Sequence, residues 1–197
     1  EPFPEEINRS ITTLITDYHF APTKIAKENL LKENVDEKSI IITGNTVIDA
    51  LLYSKNLLNK YKNEEITFLN KILDFNKKII LITGHRRENF GHKLENICLA
   101  IKEIAKEKDI EIVYPVHLNP KVQSVVNKEL SNISNIHLVS PLSYPAFVWL
   151  MIKSYLIMTD SGGIQEEAPS LGIPVLVMRD NTERPEGVKS KTAILVG

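Results

Sequence analysis

An apolar run, Tyr155-Leu156-Ile157-Met158, leads into Thr159-Asp160-Ser161-Gly162-Gly163-Ile164-Gln165-Glu166-Glu167-Ala168-Pro169. The first stretch reads as a buried strand and the second as the opening of a helix. Small residues at a strand-to-helix junction let backbone N–H groups approach a phosphate, and a helix N-terminus favours negative charge. The two carboxylates just inside the helix suit neutral hydroxyls, such as those of a ribose. Phosphate beside ribose points to a nucleotide.

Other reactive side chains cluster where apolar runs end. Lys78–Thr83 is followed by Gly84-His85-Arg86-Arg87-Glu88-Asn89-Phe90-Gly91. This is either a polar surface loop or a working one. His85 could transfer a proton or bind phosphate, and Arg86 and Arg87 suit a diphosphate. After Ile110–Val116 comes His117-Leu118-Asn119-Pro120, in which His117 is either a ligand contact or a satisfied structural histidine. The loop after Ile136–Val139, Ser140-Pro141-Leu142-Ser143-Tyr144-Pro145-Ala146-Phe147, could offer main-chain groups and an aromatic face to a base. By spacing, Phe147 and Trp149 fit core positions. The stretch Arg179-Asp180-Asn181-Thr182-Glu183-Arg184-Pro185-Glu186-Gly187 is either a solvated loop or a second anion site, with Arg184 its best binder. His19 and His137 fall inside strands and His92 on the surface, and none of the three is given a role.

The elements that must position these residues follow from periodicity. Helices are expected at Pro4–Asp17, Thr23–Glu33 with Thr23 as cap, Thr46–Tyr61 and Ile66–Phe75. Short strands fall at Tyr18–Ala21 and Ile40–Thr43. The polar interval Asn59–Glu65 is the best linker by composition. From Lys78 onward strands (78–83, 110–116, 136–139, 155–159, 174–178, 193–196) alternate with helices (94–107, 120–130, 144–153, 164–171). Apolar strands alternating with helices indicate an α/β fold, a parallel sheet covered on both faces, with ligands outside the strands' carboxyl ends.

Composition narrows the class. Lys and Arg number 24 against 25 Asp and Glu, so the chain lacks the basic excess of a dedicated nucleic-acid binder. Cys98 is the one cysteine, which rules out an internal disulfide and fits a reducing cytoplasm. No apolar run approaches the ~20 residues of a membrane helix, and no charged-then-apolar signal opens the chain. Ser161 lacks the upstream glycine of a nucleophile elbow, no phosphate-loop lysine follows the glycines, and the histidines lack metal-ligand spacing. The start at Glu1 and the bare apolar end at Thr192–Gly197 suggest part of a longer chain.

Five motifs in order resemble the non-hydrolysing UDP-N-acetylglucosamine 2-epimerases. They are Pro4-Glu5-Glu6-Ile7-Asn8-Arg9, Ile42-Thr43-Gly44-Asn45-Thr46-Val47-Ile48-Asp49-Ala50-Leu51, Thr83-Gly84-His85-Arg86-Arg87-Glu88, Tyr114-Pro115-Val116-His117-Leu118-Asn119-Pro120, and Thr159 to Pro174 with Met178 to Glu186. The resemblance implies two Rossmann-like domains facing each other in the GT-B manner. Residues 1–45 would close the N-terminal domain, mostly absent here, and residues 46–197 would form the UDP-binding domain, truncated at its C-terminus. The hinge would lie nearer Gly44, making Asn59–Glu65 an internal loop.

The resemblance also implies an activity. UDP-GlcNAc and UDP-ManNAc interconvert by elimination of UDP, giving 2-acetamidoglucal, followed by re-addition. No cofactor or metal takes part, and the full-length protein is a homodimer. His85 and Glu5 match catalytic residues, and Arg9 matches a nearby motif arginine. Ser161, Gly162 and Gly163 match the diphosphate loop, Glu167 the ribose carboxylate, Arg184 a substrate-binding arginine and Phe147 the aromatic over uracil. Arg86 and His117 fall in matching motifs. Two further catalytic carboxylates and a phosphate-binding arginine loop would lie upstream of Glu1, so the chain is expected to bind UDP without epimerising. The alternatives are a GT-B-type glycosyltransferase using a UDP-sugar and a non-catalytic nucleotide-sugar-binding remnant. The Gly84–Glu88 loop favours the epimerase, because a transferase needs an acceptor site instead of a two-sided proton shuttle.

Overall fold

Eleven residues with apolar positions at Ile7, Ile11, Leu14 and Ile15 form the first helix, α1 (Glu5–Ile15), in a computed structural model describing residues 3–58, 60, 62–86 and 89–197. Next come β1 (His19–Ala21), α2 (Lys24–Lys32) and β2 (Ile40–Ile42). Thr23 caps α2 through a bond from the Ala26 N–H to its hydroxyl (3.1 Å). The two strands pair in parallel, His19 against Ile40 and Ala21 against Ile42.

Then follow α3 (Thr46–Leu57), α4 (Glu64–Ile72), β3 (Lys78–Thr83), α5 (His92–Ile104), β4 (Ile110–Pro115) and α6 (Pro120–Leu130). The chain continues with β5 (Ile136–Val139), α7 (Tyr144–Lys153), β6 (Leu156–Thr159), α8 (Ile164–Ser170), β7 (Val175–Val177), α9 (Pro185–Lys189) and β8 (Ala193–Leu195). It divides into two units, Glu1–Ala50 and Leu51–Gly197. The division falls inside α3 and not at Asn59–Glu65, where composition put a linker. Leu51 of α3 is fully buried in the core of the second unit, and Asn63 caps α4 by accepting from the Ile66 N–H (3.0 Å). Polarity there reflects a helix cap. Asn59 and Tyr61 lie outside the described residues.

The second unit is built on a six-stranded sheet in the order β5-β4-β3-β6-β7-β8, with every pair parallel. Along β3 successive side chains face opposite layers, as a strand's period of two requires. Ile79 and Leu81 pack with Leu69, Val148, Met151 and Ala168 under α4, α7 and α8. Ile80 and Ile82 pack with Leu94, Cys98, Ile101, Val122 and Val126 under α5 and α6. Leu81 is fully buried, so Leu81→Ala should cost about 3 kcal/mol. The expected parallel sheet with helices on both faces is therefore observed. One element was missed: α9 begins inside a stretch read as a loop, because Pro185 fits the first turn of a helix and its polar sequence carries little apolar period.

Strand order matters for function. From β3 the chain steps through β4 to β5 on one side, then returns to β6 beside β3 and steps outward through β7 to β8. The reversal makes the carboxyl ends of β3 and β6 a topological switch point, where open α/β sheets bind ligands.

Candidate functional site

At this switch point the buried acid Asp160, just past β6, organises the loop that follows β3. Its Oδ2 accepts the backbone N–H groups of His85 (3.0 Å) and Arg86 (2.9 Å) and the side-chain amide of Asn89 (3.0 Å). Asn89, itself buried, also donates to the Met178 carbonyl beyond β7 (3.2 Å). The strand ends are joined by the Thr83 and Thr159 hydroxyls, 2.6 Å apart. Gly84 is closely approached: a Cβ there would stand 3.0 Å from the Tyr114 hydroxyl, which would have to shift to admit it. That hydroxyl donates to the Gly84 carbonyl (3.3 Å), and burial pushes its pKa upward.

The loop delivers His85 against His117, which follows β4. The rings stack with centroids 5.5 Å apart and planes 19° from parallel. His117 Nδ1 accepts the Asn119 N–H (3.1 Å), and Asn119 also caps α6 by accepting from the Lys121 N–H (3.0 Å). Sequence left His117 open between ligand contact and structural role; it is brought beside His85. Arg87 and Glu88 lie outside the described residues.

Ser161, Gly162 and Gly163 lead into α8, where the N–H groups of Glu166 and Glu167 bond to the Gly163 carbonyl (both 3.0 Å). The Arg86 guanidinium lies over Gly162, 3.7 Å from where its Cβ would be. Arg86 pairs with Glu183 at 3.2 Å, and Arg179 holds the other carboxylate oxygen at 2.6 Å. Partial burial alone would raise the Glu183 pKa, but its own backbone N–H, Arg179 and Arg86 outweigh that and hold it below the ordinary carboxylate value. Arg184 Nε lies 3.0 Å from Glu166 Oε2, outside hydrogen-bond geometry, so charge alone holds the pair. The Thr182 hydroxyl, donating to Gln165 (2.5 Å), ties this second loop to α8.

Glu167 is buried, and burial raises its pKa. One of its oxygens accepts the Tyr144 hydroxyl at 2.8 Å. Desolvation, then this bond, push the Tyr144 hydroxyl up to about 12. Phe147, on α7, is half-buried and packs against the core, as its spacing suggested. Glu5 and Arg9 belong to the first unit. Glu5 stands in the first turn of α1, and Arg9 binds Glu6 (2.5 Å) and Glu33 (2.8 Å), which holds Glu6 below its ordinary value. His92 is fully exposed, and His137 is mostly buried against Glu111.

Sequence reasoning gave no role to Asp160, Asn89 or Tyr144. The signal for Asp160 was present: an acid directly after a buried strand, in the same motif as the glycines. Asn89 and Tyr144 carried no local signal, because their partners lie 71 and 23 residues away.

A doubly wound parallel sheet with this reversal point belongs to the Rossmann-like class of folds. A sequence profile for the family described as UDP-N-acetylglucosamine 2-epimerase matches residues 1–197, and the chain belongs to that family. It is 54% identical over 199 residues to the Escherichia coli K12 enzyme of that name, covering 100% of this chain and 53% of that one. The structure of the Neisseria meningitidis UDP-GlcNAc 2-epimerase, bound to UDP-GlcNAc, superposes with a TM-score of 0.93 at 49% identity, over 100% of this chain and 53% of that one. An S. aureus protein solved with UDP gives 0.88 at 47% identity, over 100% and 51%. The chain thus spans about half the length of the curated relatives it matches.

Proposed function

We propose that this chain is the UDP-binding portion of an enzyme that interconverts UDP-GlcNAc and UDP-ManNAc. UDP leaves as the proton on sugar carbon 2 is lost, giving 2-acetamidoglucal, and adds back as a proton returns to the opposite face. The reading rests on one observation above all. A stacked His85–His117 pair, the glycine-led start of α8 and the buried Glu167 converge at one switch point. Its relatives' names and ligands supply the substrate.

In this proposal the Ser161–Gly163 backbone and Arg86 receive the diphosphate, whose negative charge grows as the sugar bond breaks. Glu167 accepts the ribose hydroxyls through the oxygen that Tyr144 does not occupy. Phe147 flanks the uracil, Arg184 joins the substrate on release from Glu166, His85 moves a proton, and Glu5 is a catalytic acid. Arg9 orients groups near Glu5, and His117 supports His85. Residues 1–45 end a first Rossmann-like domain and 46–197 form the second, in a cytoplasmic homodimer. No helix among the described residues is long and apolar enough to cross a membrane.

Incubating the intact protein with UDP-GlcNAc in heavy water tests the reading. Deuterium at sugar carbon 2 and the appearance of UDP-ManNAc, without an acceptor, are expected. Sugar transfer without carbon-2 exchange would establish the glycosyltransferase instead, and UDP binding without either would establish a sensor.

A further inference from the structure

Asp160 is fully buried and unevenly satisfied. Three donors converge on Oδ2, while Oδ1 has no hydrogen-bond partner among the described residues. A buried carboxylate oxygen without a donor is destabilising, which favours any arrangement that brings a donor to it. Nδ1 of His85 lies 3.6 Å from it, beyond a hydrogen bond but within a small ring rotation of one. If Nδ1 carries the proton, Oδ1 gains its donor and Nε2 becomes the basic nitrogen.

The stacked neighbour has the opposite arrangement. His117 Nδ1 already accepts the Asn119 N–H, so its proton belongs on Nε2, and a second proton would break that bond. Two imidazolium rings at this separation would also repel. Arg86 stands in the same loop as His85, and the nearby Tyr114 hydroxyl of β4 is engaged by the Gly84 carbonyl.

We propose that Asp160 is a positioning residue that sets His85 as the Nδ1–H tautomer, while the Asn119 N–H holds the stacked His117 as the Nε2–H tautomer, so that of the two rings His85 alone moves a proton. The catalytic meaning of that proton rests on the proposed epimerase function. The tautomers do not.

Long-range ¹H–¹⁵N spectra of the intact, histidine-labelled protein near pH 9, where imidazoles are neutral, read the tautomers directly. His85→Gln and His117→Gln serve only to assign the peaks. The expected result is Nδ1–H for His85 and Nε2–H for His117. In Asp160→Asn the new carbonyl keeps the three loop donors and the new NH₂ faces His85. His85 should therefore switch to Nε2–H while the amide signals of residues 84–89 stay near their wild-type positions. A mere loop anchor would not move the tautomer. With the wrong tautomer, kcat should fall about 100-fold or more with KM nearly unchanged.

Wild-type His85 protonated on Nε2, an Asp160→Asn protein that keeps Nδ1–H, or a switched tautomer with full kcat would each overturn the proposal. If Asp160→Asn does not fold, the wild-type spectrum decides alone. Correct tautomers in an intact protein that shows no carbon-2 exchange would refute the epimerase reading and leave the tautomer assignment standing.

Discussion

The two ends of the six-stranded sheet treat buried charge in opposite ways. At the amino ends of the strands, Glu111 of β4 gives one oxygen to Lys77 (2.7 Å) and the other to His137 of β5. Both Glu111 oxygens thus have partners, one from the preceding loop and one from a neighbouring strand, and the cluster is closed. At the carboxyl ends, Asp160 has one saturated oxygen and one without a hydrogen-bond partner among the described residues, Glu167 shares a single oxygen with Tyr144, and Arg86 pairs with the surface carboxylate Glu183. Both ends satisfy the rule that buried charge needs partners. The difference is that one end uses up its valences while the other holds polar groups in place and leaves part of each for something else. Closed clusters hold strands together; partly open ones bind.

The sharpest break of this contrast is Asp160→Ala. It strips the acceptor from three buried donors, so stability should fall by about 3 kcal/mol or more, read by denaturant unfolding, and UDP binding should be lost with the loop. A loss under about 1 kcal/mol would mean that the carboxyl end is not organised by this acid.

Tyr144→Phe should weaken UDP binding by about fivefold to tenfold, measured by calorimetry, since one net hydrogen bond that fixes Glu167 disappears. Its pH dependence sharpens the point. Burial raises the Glu167 pKa, so ionising it opposes folding: its contribution to stability is greatest in acid and is lost as pH rises through the folded value. Binding runs the other way, because the ionised carboxylate is the hydroxyl acceptor. UDP affinity should therefore fall on acidification at a pH above the ordinary glutamate value. Tyr144 favours the ionised form, so Tyr144→Phe should move that fall to still higher pH. An unchanged pH profile would detach Tyr144 from the site.

Glu183→Gln removes the carboxylate from between Arg86 and Arg179 and should tighten UDP or pyrophosphate binding about twofold to fivefold at low salt, with the gain shrinking as salt rises. Weaker binding would show that Glu183 orders the arginines instead of competing for them. The smallest effect on binding is expected from Glu111→Ala, at the opposite end of the sheet. Opening the closed cluster should lower Tm by a few degrees and leave the UDP affinity unchanged. A change in UDP binding would end the division between the two ends.

The fold was largely legible because strand and helix periods are local. Ile79 to Ile82 alternate between two core layers, and the helices over them carry apolar residues at helical spacing. Asn59–Glu65 misled because a helix cap and a linker share the same polar residues. The glycine loop, His85, Glu167 and Arg184 stood out because each follows a buried strand or opens a helix. Asn89 and Tyr144 did not, since an amide and a tyrosine gain meaning only from what they touch.

The sequence by itself determined the element order apart from α9, a parallel sheet covered on both faces and the family to which the chain belongs. Those are properties of neighbours along the chain and of long motifs. Only the tertiary structure decided that β6 returns to lie beside β3, placing Asp160 under the loop that carries His85 and stacking that ring on His117. The physical reason is that hydrogen-bond saturation depends on separation in space. The loop and its anchoring acid stand 75 residues apart in the chain and 3.0 Å apart in the fold.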